Sequence, residues 1–287
     1  MNILFIGLGK IGYNIASHLS KKKNITIYVY NRSNYKIKKW LQNNYGFEYE
    51  PKKKNLIKFD YIITCVTDDS SIDSIFLKRK LYKNIKNKGL IIDHSTISYE
   101  KTVEISKFFK QKNIYFYDCP VTGGEEASIK GSLSTMCGGH YELFHNIDKI
   151  LNIYSKVTVY CGKSGMGTLN KLSNQILMCN LITLSESIKF NIKNKINLIK
   201  FFKITYEGSG SSWILKNRYK KFLDNDFKDF GYSISLFYKD LSYVIKRSNT
   251  LNLDLEVVKI VHKKLRPIAQ SNKKNYDISY FIKKYSK

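Results

Sequence analysis

Three glycines in Gly7-Leu8-Gly9-Lys10-Ile11-Gly12, following the apolar run Asn2–Ile6, are the first residues whose spacing fits a specific ligand. Gly7 permits a tight turn, Gly9 lets the backbone approach a pyrophosphate, and Gly12 lets the next helix pack close on the strand with its N-terminus toward the phosphates. The triplet stands between a strand and an amphipathic helix, and a second strand, ITIYVY, follows. In that context the pattern predicts dinucleotide binding. At the end of the second strand a carboxylate would bond the adenosine ribose 2′-hydroxyl and repel a 2′-phosphate. Asn31-Arg32-Ser33 stands there instead, which favours NADP while leaving NAD possible.

Two further segments carry candidate chemistry. Asp118-Cys119-Pro120-Val121-Thr122-Gly123-Gly124 ends a strand in a Pro-initiated turn with a hydroxyl and two glycines. Exposed backbone N–H groups at the C-terminal edge of a sheet can hold an anion such as a carboxylate. The second segment runs from Gly165 through Met166, Gly167 and Thr168 into a helix on which Lys171 and Asn174 lie three apart, on one face. Ile176, Leu177 and Leu181 follow, so the helix is expected to be largely buried and Lys171 to stand near low-dielectric surroundings. Asp68 and Asp69 read as turn residues, and Trp213 as a core tryptophan.

The elements that must position these groups alternate. β-rich runs at Asn2–Ile6, Ile25–Tyr30, Tyr61–Val66, Leu90–Asp93, Ile114–Asp118, Leu133–Cys137 and Lys156–Tyr160 are separated by helical stretches. Runs such as IIT and LIID are apolar at successive positions, as in parallel strands covered on both faces. After Gly167 the strand signals stop, and long helical stretches continue, broken by the Gly-Ser segment Glu207–Ser212. The reading is an α/β Rossmann-type N-terminal domain over residues 1–163, followed by an all-α domain over 164–287, with the glycines of CGKSGMG at the boundary.

At 287 residues the chain is long enough for two domains. Its formal net charge of +26 is a poor argument for nucleic acid, because only 5 of its 49 basic residues are arginine, the better side chain for forked phosphate and base contacts. The abundance of Lys, Asn, Ile, Tyr and Phe fits AT-rich codon usage, so no specific nucleic-acid partner is expected. The five cysteines have no CxxC pair, and the five histidines form no HxxxH, so no metal site is expected and the thiols read as reduced and mostly buried. No apolar run is long enough to span a bilayer, so neither a membrane nor a secretion route is expected and the cytoplasm is the predicted location.

Taken in order, GLGKIG, DCPVTGG, GMGTLNKLSN and the pair Lys239-Asp240 resemble the motifs of the β-hydroxyacid dehydrogenases, over essentially the whole chain. That family includes 3-hydroxyisobutyrate dehydrogenases, tartronate semialdehyde reductases and glyoxylate/succinic semialdehyde reductases. The resemblance implies a Rossmann-type domain followed by a helical domain that completes the active site, and a homodimer or homotetramer. It implies Lys171 as general acid/base and Asn174 as a residue holding the substrate or the lysine. Thr122, Gly123 and Gly124 match positions that bind a substrate carboxylate, Thr96 in DHSTIS a residue near the nicotinamide ribose, Lys239 a residue contacting cofactor or substrate, and Asp240 its helper. The physics agrees: a hydroxyl must lose a proton as its carbon loses a hydride, and a partly desolvated lysine can accept it.

Thr122, Cys119 and Gln175 depart mildly from the family pattern, and Leu172-Ser173-Asn174 lacks the histidine of 6-phosphogluconate dehydrogenases. The expected activity is hydride transfer between NADP(H) and a small β-hydroxyacid or its semialdehyde, leaning to glyoxylate or succinic semialdehyde reduction. NAD-dependent 3-hydroxyisobutyrate oxidation is the near alternative. A lapsed, dehydrogenase-like nucleic-acid-binding protein is the alternative of another class, but it would have no chemical reason to keep Lys171 with Asn174.

Overall fold

The structure is a computed structural model that describes residues 1–51, 57–228 and 232–286. Two compact units, Met1–Lys171 and Leu172–Lys287, make up the chain. The first contains the strands β1 (Asn2–Ile6), β2 (Thr26–Tyr30), β3 (Phe47–Glu48), β4 (Phe59–Thr64), β5 (Ile85–Asp93), β6 (Tyr115–Asp118), β7 (Val121–Thr122), β8 (Leu133–Gly138) and β9 (Ser155–Gly162). They form one sheet in the order β3-β2-β1-β4-β5-β6-β8-β7, with β9 beside β8. The helices of this unit are α1 (Lys10–Ser20), α2 (Asn34–Leu41), α3 (Asp69–Ile72), α4 (Tyr99–Lys110), α5 (Gly124–Lys130) and α6 (Phe144–Leu151), and α7 (Met166–Leu177) begins in it.

Successive apolar residues in the strands follow from cover on both faces. Alternation sends Ile3 and Phe5 into one core cluster and Leu4 and Ile6 into another, and all four are buried. Ile63 and Ile92 join the first cluster, Ile62 and Ile91 the second. From β3 to β6 every pairing is parallel. The sheet then departs from the expected all-parallel pattern: β6 and β7 each run antiparallel to β8, while β9 is parallel to it. Strand order reverses direction between β1 and β4, which opens a crevice beyond their C-terminal ends, the usual ligand site of such sheets.

The second unit is built from the remainder of α7 and from α8 (Leu181–Lys193), α9 (Leu198–Glu207), α10 (Trp213–Leu223), α11 (Ile234–Thr250), α12 (Glu256–Ala269) and α13 (Ser279–Tyr285). Phe202, Phe237, Leu241, Val261, Leu265 and Phe281 are buried in it. Trp213 is not a core residue: it is 44% exposed. It opens α10, capped by Ser212, and the helix buries the next two residues, Ile214 and Leu215, leaving the indole outside under the Arg218 guanidinium, 5.0 Å from the ring centre. Leu177, expected to be buried, is likewise exposed at the end of α7. No helix among the described residues is long and apolar enough to cross a membrane.

Candidate active site

The loop between β1 and α1 carries the first glycine motif. Gly7 has φ +106°, and a Cβ there would lie 2.3 Å from the carbonyl oxygen of Cys65, so the turn admits no side chain. Gly12 packs against the same loop, where a Cβ would sit 2.0 Å from the Gly7 oxygen. At Gly9, the residue before α1, a Cβ would meet nothing within 4 Å, so a ligand can approach the backbone of the helix start closely. That arrangement fits a dinucleotide pyrophosphate. Gly7 and Gly9 line a cleft of about 190 Å³ together with Tyr30, Asn31, Arg32 and Ser33 from the end of β2.

Asn31 ties the two loops together: its Oδ1 accepts from the Leu8 N–H at 3.0 Å, and its Nδ2 donates to the Ser33 carbonyl at 3.1 Å. Arg32 is exposed at the rim. Two cations that the sequence reading did not single out line the same cleft, Lys36 and Arg79. Lys36 was open to detection, being four residues beyond Arg32 at the start of α2. The aspartates near the cleft are structural. Asp68 caps α3 by accepting from the Ser71 N–H at 2.9 Å, and Asp69 accepts from the Ser98 N–H at 2.8 Å and from its hydroxyl at 2.6 Å.

The entry to α7 is anchored to the sheet by a carboxylate that sequence reasoning had treated only as part of a motif. Asp118, at the end of β6 and 1% exposed, accepts from the Gly165 N–H at 2.8 Å and the Thr168 N–H at 2.7 Å. Burial pushes this carboxyl up to about 7, against the opposing pull of those two donors. Around it the backbones are in contact: a Cβ on Gly167 would lie 2.3 Å from the Asp118 carbonyl oxygen, and one on Gly138 would lie 2.7 Å from its side chain. Lys171, three residues after Thr168, is 9% exposed. The division between the two units falls inside α7 because its first turn is bonded to β6.

Thr122 ends β7, and Gly123 and Gly124, the cap and first residue of α5, both take positive φ, at +116° and +71°. The segment is held from beneath. Ser128 of α5 accepts from Asn14 of α1 at 2.9 Å, and Glu125 lies 3.3 Å from the Lys10 amine. At its start the Cys119 carbonyl lies 2.6 Å from Nδ1 of buried His94, whose Nε2 lies 2.9 Å from the Tyr154 hydroxyl. A carbonyl can only accept, so Nδ1 carries the proton and the Tyr154 hydroxyl donates to Nε2. Burial lowers the His94 pKa to about 4. Thr96 is half-buried in the segment between β5 and α4, two residues before Ser98, the cap of α4.

Within the helical unit, five residues form one chain of polar contacts. Asn174 donates to Gln175 Oε1 at 3.2 Å, and Gln175 donates to Asp240 Oδ2 at 2.6 Å. The Tyr232 hydroxyl donates to the same oxygen at 2.7 Å, while Lys239 lies 2.9 Å from Oδ1. Asp240 is thus a buried hub that holds Lys239, and the neighbouring carboxylate raises the Tyr232 pKa further above the level to which burial alone brings it. Gln175 and Tyr232 were missed as members. Gln175 follows Asn174 directly in the sequence; nothing local marks Tyr232.

Residues 2–162 match the family described as the NAD binding domain of 6-phosphogluconate dehydrogenase, and residues 165–285 that described as the NAD-binding domain of NADP-dependent 3-hydroxyisobutyrate dehydrogenase. An uncharacterized oxidoreductase of Shewanella frigidimarina is 27% identical over 99% of this chain and 98% of its own. The 2-hydroxy-3-oxopropionate reductase of Escherichia coli is 28% identical over 68% of each chain. Among solved structures, a 3-hydroxyisobutyrate dehydrogenase from Salmonella typhimurium superposes with a TM-score of 0.88 at 18% identity, covering 99% of this chain and 100% of the other.

Proposed function

The chain belongs to the β-hydroxyacid dehydrogenase family of NAD(P)-dependent oxidoreductases acting on CH–OH groups, and from that premise we propose that it is an NADP-preferring reductase of a small semialdehyde or ketoacid, with Lys171 as proton donor. The observation that carries this reading is the placement of Lys171: nearly buried, one turn into a helix whose first N–H groups are held by buried Asp118. A reduced nicotinamide, when bound, supplies a hydride to the carbonyl carbon. Lys171 then gives its ammonium proton to the carbonyl oxygen as negative charge develops there, and in the reverse direction its neutral amine takes the hydroxyl proton.

Gly7, Gly9 and Gly12 shape the pyrophosphate site, and Asn31, Arg32 and Ser33 the ribose site, with Thr96 near the nicotinamide ribose. Thr122, Gly123 and Gly124 hold the substrate carboxylate, the two positive-φ glycines turning backbone N–H groups toward it. Asn174 orients substrate or lysine. Lys239 contacts cofactor or substrate, held in place by Asp240. The cation-lined cleft supports NADP over NAD, and NADPH commonly serves reduction, so glyoxylate and succinic semialdehyde lead the substrate set.

The test is the absorbance change of the reduced nicotinamide, with glyoxylate, succinic semialdehyde, tartronate semialdehyde and 3-hydroxyisobutyrate, each with both cofactors. Lys171→Ala is expected to lower turnover by ~100-fold or more, the scale of lost acid/base catalysis. A variant that turns over like the wild type removes Lys171 from the mechanism, and a clear preference for NAD with 3-hydroxyisobutyrate replaces the reductase reading.

A further inference from the structure

Arg79 belongs to no motif and lies 47 residues beyond Arg32, yet both line one cleft. Its place depends on an irregular backbone. Residues Asp73–Lys78 form a π-helical turn, and the Arg79 N–H closes it by bonding the Ser74 carbonyl, five residues back, at 2.9 Å. The wider turn brings Arg79 round over Ser74, on the face that also carries Ser71 and Ile75 into the cleft. An α-helical turn would leave position 79 on another side. The turn is fixed to the core by Phe76, fully buried and packed edge-on against Phe109 at 4.9 Å. Lys80, at φ +52°, then turns the chain away.

The guanidinium is aimed by one hydrogen bond, from its Nη1 to the Tyr30 hydroxyl at 3.2 Å. Tyr30 is the last residue of β2, directly before Asn31-Arg32-Ser33. Three cations, Arg32, Lys36 and Arg79, therefore share one wall system, and none has a carboxylate within ion-pair distance among the described residues. Like charges gathered without a counter-charge lower their mutual repulsion when an anion enters between them.

We infer that Arg79, aimed by Tyr30, is a second arm of the clamp on the 2′-phosphate of NADP, contributed by the π-helical turn rather than by the β2 tip. It is a specificity-determining residue: a guanidinium offers a forked pair of N–H donors to a phosphate dianion, and gains far less from the hydroxyl that NAD carries at that position. This inference rests on the NADP reading above and extends it to a residue outside the motif.

The experiment is equilibrium titration of the intact protein with adenosine 2′,5′-bisphosphate and with 5′-AMP, which differ only in the 2′-phosphate. Arg79→Gln is expected to weaken the bisphosphate by ~10–100-fold, the worth of a charge-assisted hydrogen bond, and to leave 5′-AMP nearly unchanged. Arg79→Lys should restore part of the loss, and Tyr30→Phe should reproduce it in smaller degree. Equal weakening of both probes, or of neither, overturns the assignment of Arg79. The two readings fail separately. A wild-type protein that binds 5′-AMP as tightly as the bisphosphate defeats NADP preference itself, whereas a wild type that prefers the bisphosphate with Arg79→Gln unaltered defeats only the second arm. A circular dichroism spectrum of Arg79→Gln matching the wild type separates loss of the side chain from loss of the turn.

Discussion

At the entry to α7 a buried carboxylate holds two backbone N–H groups among glycines that leave no room to shift, whereas at the tip of β2 the Arg32 guanidinium stands exposed with no carboxylate partner among the described residues. In the proposed reaction each region supplies a cation. The first does so by packing and low-dielectric hydrogen bonds, so that Lys171 inherits its position from Asp118, Gly138 and Gly167. The second does so by charge on a long, exposed side chain at a rim. A proton donor must be correct to a fraction of an ångström, while recognition of a dianion tolerates adjustment. Substitutions at the first region should therefore act on turnover and on the fold, and substitutions at the second on affinity alone.

The comparison is tested hardest at Asp118→Asn. The amide keeps one accepting oxygen, but its NH2 group faces a backbone N–H that needs an acceptor, so two donors oppose each other in a buried site. Displacement of the first turn of α7 carries Lys171 with it, and kcat is expected to fall by ~100-fold. Cofactor affinity, measured by titration, should stay at the wild-type value. A normal kcat in this variant would show that α7 is held by other contacts and would erase the distinction between the two regions.

What could be read in the sequence divides along the same line. The strand, glycine loop, helix and second strand around Gly7–Gly12, and the tip Asn31-Arg32-Ser33, lie within one short stretch, so local spacing was enough to place them in one cleft. The bonds that anchor α7 join residues 47 and 50 apart, and no periodicity links Asp118 to Gly165 or Thr168. Arg79 was hidden for another reason: helical faces are projected at 3.6 residues per turn, and a π-helical turn puts residue 79 where that projection does not. The strands β3 and β7, two residues each, are too short for alternation to register, and β8, antiparallel to both β6 and β7, is what reverses the sheet beside the DCPVTGG segment. Trp213 shows the limit of composition, since its place at the first turn of α10 overrides its preference for the core.

An intermediate effect is expected at His94, which belongs to the packed region and supports the start of the DCPVTGG segment through the Cys119 carbonyl. Its pKa is lowered to about 4 by burial, from 6.5 in the unfolded chain. The neutral ring's contribution is therefore fully present above pH ~6.5 and is lost as pH falls toward 4, amounting to about 2 kcal/mol by pH 5. Asp118 acts with the opposite sign in this range, because a carboxyl raised to about 7 favours the fold as it is protonated. The measurement is consequently urea unfolding of His94→Gln beside the wild type at pH 7 and pH 5, comparing the two differences. The wild type should lose more stability than the variant on acidification. Parallel losses would mean that the proton is taken up elsewhere.

The smallest effect should come from Arg32→Gln, and its character matters more than its size. Removing one exposed cation from a cleft that keeps Lys36 and Arg79 should weaken NADP by ~10-fold and leave NAD nearly unaltered, with kcat at saturating cofactor the same as in the wild type. Because the charge is exposed, its contribution should shrink as salt rises, so that wild type and variant converge in affinity at high ionic strength. The Asp118→Asn defect, carried by buried bonds, should show no such convergence. Measuring both variants across one salt series therefore separates a screened contact from a packed one. An Arg32→Gln loss that persists undiminished at high salt would place the guanidinium in a desolvated contact and give the β2 tip the same character as the α7 entry.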